Sequence, residues 1–80
     1  ERGLGVPADA AEAVRLYRAA AEQGHAGAQY NLGIAMAEGR GAAQDYAEAA
    51  GWFRRAADQG FAKAAYNLGV LHERGLAGTG

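Results

Sequence analysis

Eighty residues and 8.2 kDa allow a single small domain. Half the chain is hydrophobic, but 22 of those residues are alanine, so only 18 larger apolar side chains remain for a core. With no cysteine, no serine, one threonine (Thr79) and a net charge of −1, the composition excludes serine, cysteine and zinc–thiolate chemistry, and any broad basic field for nucleic acid or an anionic membrane.

The first predicted helix runs from Asp9 to about Gln23. Apolar or small residues at Ala10, Ala13, Val14, Tyr17, Ala20 and Ala21 make one face of it. Asp9 stands where an N-cap carboxylate accepts a backbone N–H, with Glu12 three residues on as in a capping box. Gly24 follows the last turn, and the short joint Gly24-His25 folds the next helix back as an antiparallel neighbour. That second helix is expected from about Ala26 to Glu38, closed by Gly39. The loop Gly39-Arg40-Gly41-Ala42-Ala43-Gln44 then turns the chain; it lacks the preceding strand and the Gly-Lys-Ser/Thr ending of a phosphate loop. A third helix follows from Asp45 through Gln59, closed by Gly60, with Arg54 and Asp58 placed for i,i+4 pairing on a solvated face. The fourth runs from Ala62 to Arg74, closed by Gly75. No apolar run approaches the ~20 residues that span a bilayer.

These elements repeat. Sliding the chain by 36 residues pairs positions 1–44 with 37–80, and 18 of those 44 pairs are identical. Tyr30-Asn31-Leu32-Gly33 recurs as Tyr66-Asn67-Leu68-Gly69, and Gln23-Gly24 as Gln59-Gly60. Asp9 and Asp45 fall in one column, each followed by Ala-Glu-Ala. Gly33 and Gly69 stand inside helices, where glycine costs ~1 kcal/mol relative to alanine, so both are expected to mark points where another helix comes close. The fold class that follows is all-α, an α-solenoid of antiparallel helical hairpins with a 36-residue period. Its expected organisation is a partial repeat over 1–24, a full repeat over 25–60 and a partial repeat over 61–80. One helix at each end then lacks its hairpin partner, which predicts end-to-end self-association of copies.

The residues that carry the repeat resemble a known family. Ala28, Tyr30, Leu32 and Gly33, then Gly39 and Gly41, then Asp45, Tyr46 and Ala49, and finally Trp52, Phe53, Ala56, Ala57 and Gly60 are similar to the Sel1-like repeat, a relative of the tetratricopeptide repeat. Met36 and His72 stand where that family usually has a tyrosine. The resemblance implies a non-enzymatic scaffold that holds a partner protein or peptide in a groove, with no cofactor and no metal.

If the first helix of each repeat lines the concave face, as in tetratricopeptide arrays, the partner-binding stripe is Tyr30, Asn31, Ile34 and Glu38, continued by Lys63, Tyr66, Asn67, Val70 and Arg74. The opposite stripe, Ala28, Leu32, Gly33 and Met36, reads as packing. Asn31 and Asn67 either offer their amides to a peptide backbone or bond within the helix pair. Tyr30 and Tyr66 also suit packing, and Trp52 sits on a flank that suits packing against the next repeat. His25 and His72 stand 47 residues apart without metal-ligand spacing, as surface or cap residues. Other readings are a structural spacer within a longer array, or pentatricopeptide-like RNA binding. Eight basic against nine acidic residues, with no Lys/Arg stripe, argue against RNA. Arginine outnumbers lysine seven to one, a bias of GC-rich bacterial genomes that carries no function.

Overall fold

The computed structural model describes residues 6–76 as four helices: α1 (Val6–Glu22), α2 (Ala26–Glu38), α3 (Tyr46–Asp58) and α4 (Ala62–Glu73). Each helix packs on the next in chain order, α1 on α2, α2 on α3 and α3 on α4. The result is a slab of 39 × 26 × 16 Å, with no strand among the described residues. This is the arrangement of an α-solenoid, in which contacts stay between neighbours.

The two tight joints are built bond for bond alike. At the first, Gly24 N–H donates to the Ala21 carbonyl (2.9 Å) and His25 N–H to that of Ala20 (3.3 Å). At the second, Gly60 N–H donates to Ala57 (2.8 Å) and Phe61 N–H to Ala56 (3.2 Å). Both glycines have positive φ, 97° and 90°, a region glycine enters without steric cost.

The longer loop is tied back to the helices it joins. Asp45 N–H donates to the Met36 carbonyl at 2.8 Å, and the Gln44 amide donates to the Ala37 carbonyl at 2.8 Å. Gly41 has φ 81°, and a Cβ there would lie 2.9 Å from Val14 Cγ2 and closer still to the Ala10 backbone. Glycine is therefore needed twice over, for its backbone angle and for the loop's approach to α1.

α1 begins earlier than the sequence predicts. Its first residue is Val6, so Asp9 lies within the first turn and does not cap the helix. Pro7 explains the difference, because its fixed φ and missing N–H suit a first turn. In the second copy the loop bonds hold residues 42–44 out of the helix, and Asp45 is a true N-cap whose carboxylate accepts the Glu48 N–H at 3.0 Å. Asp45→Ala is therefore expected to cost about 1 kcal/mol of stability, and Asp9→Ala much less, in paired urea titrations.

Among the described residues twelve apolar side chains are buried, and six are alanine: Ala21, Ala35, Ala49, Ala50, Ala56 and Ala64. The larger ones are Val14, Leu32, Met36, Trp52, Phe53 and Leu71. Leu32, Gly33 and Met36 of the expected packing stripe are buried, with Ala28 half-buried beside them. Gly33 meets its expected close neighbour, since a Cβ there would lie 2.6 Å from the Phe53 ring. Gly69 does not: nothing lies within 4 Å of its Cβ position. Arg54 and Asp58 are both exposed and form no ion pair with each other among the described residues.

Candidate functional site

Helical spacing lines up Asn31, Ile34 and Glu38 along α2, and Asn67 and Val70 along α4. Between these helices, with Phe53 of α3 and Leu71 of α4 also on its wall, lies a hollow of about 190 Å³. Its other walls are Ile34, Ala37 and Glu38 from α2 and Asn67 and Val70 from α4. A second hollow of about 210 Å³ lies between α1 and α2, lined by Val14, Tyr17, Asn31, Ile34 and Glu38 among others. Ile34 and Glu38 border both, so the two hollows adjoin.

Five of the nine stripe residues, Asn31, Ile34, Glu38, Asn67 and Val70, are thus brought to these hollows. Tyr30 is not free: its half-buried ring packs between Phe53 (centroids 6.0 Å apart) and Phe61 (5.2 Å). Lys63 and Arg74 are exposed and line neither hollow, and Tyr66 is 72 % exposed. The hollows have apolar walls and polar edges. Asn31 is exposed and Asn67 half-buried, and neither amide makes a side-chain hydrogen bond among the described residues. Glu38 pairs with Arg40 at 3.1 Å, both well exposed. An exposed pair of this kind contributes little and is easily exchanged for a ligand's charge.

On another face, a polar chain joins α1 to α3. Arg18 bonds Glu48 at 3.1 Å and reaches the Met36 sulfur at 3.8 Å. Glu48 also accepts the Trp52 indole N–H at 3.2 Å, and the Arg55 guanidinium lies 4.6 Å from the centre of the Trp52 ring. Trp52 is buried, as the packing expectation requires, and through Glu48 its polar edge is tied to α1. Its phase on α3 sets this direction, because the Glu48 side of the helix faces α1.

Sequence reasoning missed Gln29. It is 2 % exposed, donates from Nε2 to the Ala21 carbonyl at 3.1 Å, and accepts from Gln59 Nε2 at 3.0 Å. One side chain thereby ties the ends of α1 and α3 to α2. No recurrence marks it, since its offset counterpart is Ala65. His25 and His72 are exposed, and no group of three potential metal ligands converges among the described residues. No described helix is long and apolar enough to cross a membrane.

Compared with known families, the chain matches the model of the Sel1 repeat over residues 1–25, 26–61 and 62–80, which is its whole length. No curated protein matches the sequence.

Proposed function

From the premise that this chain belongs to the Sel1 repeat family, whose repeats are generally non-catalytic and mediate protein–protein interaction, we propose that it is a scaffold binding a partner peptide or protein along α2 and α4. The observation that carries this reading is the pair of asparagine amides at the edges of two adjoining apolar hollows. Neither amide is spent on a side-chain bond among the described residues. Each presents donors and an acceptor that match an extended peptide backbone. Ile34 and Val70 supply the apolar contact, and Glu38 a charge at the rim. Lys63, Tyr66 and Arg74 flank this surface, and Tyr30 supports it from below by holding Phe53 and Phe61. No residue of the site is catalytic in this proposal, and neither nucleic acid nor a cofactor is required.

A displayed peptide library selected on the immobilised chain tests the proposal. Peptides bound by the parent are expected to lose at least about tenfold in affinity for the Asn31→Arg/Asn67→Arg variant, since arginine crowds both hollows. Equal circular dichroism of the two proteins must accompany the loss. Selected peptides that bind both proteins equally would move the site to another face, and a selection yielding no binder would favour a structural spacer.

A further inference from the structure

Glu48, Gly51, Trp52 and Arg55, at helical spacing along one side of α3, line a shallow hollow of about 270 Å³. α3 is an inner helix, packed on α2 and α4 and bonded to α1. The hollow lies on its α1 side, where Glu48 meets Arg18. A further repeat would reach α3 on its other flank, that of Arg54, the offset counterpart of Arg18 and about 100° round the helix from Arg55. The hollow therefore stays open in an array of any length.

Two of its residues are not explained by packing. Gly51 is exposed in mid-helix, where glycine is less favourable than alanine, and nothing lies within 4 Å of its Cβ position. The repeat does not require it, since its offset counterpart is Arg15. What glycine provides here is a bare stretch of helix beside Trp52, open to close approach. The second residue is Arg55, whose guanidinium lies 4.6 Å from the centre of the Trp52 ring. Cation–π attraction holds it there. Among the described residues it pairs with no carboxylate, not even Asp58 three positions on. Its fork of N–H donors is thus positioned in advance and unspent.

The charge of the hollow says what that fork can take. Glu48 is already engaged, accepting from Arg18 at 3.1 Å and from the Trp52 indole N–H at 3.2 Å. Two guanidinium groups against one carboxylate leave room for one further negative charge. A single carboxylate fits; a phosphate, with about two charges, would stand against Glu48.

We infer that this side of α3 is a second binding surface, for an acidic peptide segment. The Arg55 fork takes the segment's carboxylate, and an adjoining apolar side chain rests on the bare helix at Gly51, against Trp52. The inference does not rest on the peptide-binding reading of α2 and α4, since none of the four residues lines those hollows.

Fluorescence anisotropy with two pools of short, labelled, end-capped peptides tests it. One pool carries a central Glu between randomised Leu, Val and Phe, and the other carries Gln in its place. The Glu pool is expected to bind at least about tenfold more tightly, and to shift the emission of Trp52, the chain's one tryptophan. Arg55→Gln and Gly51→Leu should each weaken that binding at least about tenfold. Leucine at 51 enters open space, so circular dichroism should show the helices retained. The Asn31→Arg/Asn67→Arg variant should bind the Glu pool as the parent does, which keeps the two surfaces distinct. Equal binding of both pools, undiminished binding by Gly51→Leu, or no saturation below about millimolar concentration overturns the inference. So does loss of binding in the asparagine variant, or binding that leaves Trp52 emission unmoved. Tighter binding of a pool with phosphoserine at the centre gives the hollow to a phosphorylated partner, and overturns it too.

Discussion

Gly33→Leu is expected to destabilise the chain by about 3 kcal/mol, while Gly69→Ala, in the same Tyr-Asn-Leu-Gly motif, stabilises it by about 0.5–1 kcal/mol. The first substitution drives a side chain into Phe53, whose ring stands 2.6 Å from the Cβ position and is only 1 % exposed. Tyr30 backs that ring at 6.0 Å, so it can withdraw only by disturbing α2 or the hollow beside Val70. The second substitution meets nothing within 4 Å and removes the entropic cost of glycine within a helix. For a domain of this size, 3 kcal/mol corresponds to a fall in melting temperature on the order of 15 °C. Thermal melts of the two variants check both signs. Equal shifts would mean that α2 and α4 have the same surroundings.

Gln29→Ala is expected to cost about 2–3 kcal/mol, the second large effect. The substitution opens a cavity between three helices and removes two hydrogen bonds. The Ala21 carbonyl keeps its bond from Gly24 N–H, so the loss falls mainly on packing and on the tie to α3. Gln29→Leu preserves much of the volume and should recover part of the loss. Gln59→Ala should cost about 1 kcal/mol, because Gln59 is exposed but its removal leaves the buried Gln29 oxygen without that donor. Urea titrations of the three variants test the order. A cost for Gln29→Ala no larger than for Gln59→Ala would show that the three-helix tie contributes nothing beyond a surface bond.

The site divides along similar lines. The helical stripe of Asn31, Ile34, Glu38, Asn67 and Val70 was legible because 3.6-residue spacing places such residues on one side of a helix. What the stripe does not reveal is depth. Tyr30 and Tyr66 occupy the same column of the repeat, yet one ring is packed and the other open. Gln29 left no trace at all, because a single polar residue in a helix looks like any exposed glutamine until its neighbours are known. The Arg18–Glu48 bond had a faint signal in the recurrence of both residue types, but nothing in spacing alone joins positions 30 apart.

The amino-acid sequence by itself determined the bodies of α2, α3 and α4, their closing glycines and the cap at Asp45. These depend on local forces: apolar periodicity, positive φ at glycine, and a carboxylate within reach of the third N–H beyond it. Even α1 failed only at its start, where Pro7 favours a longer first turn. Tertiary structure alone decided which of two identical motifs is buried and which glycine receives an aromatic ring. Those properties belong to the helix that lies alongside, brought there from 20 or more residues away in the chain, and local spacing carries no information about it.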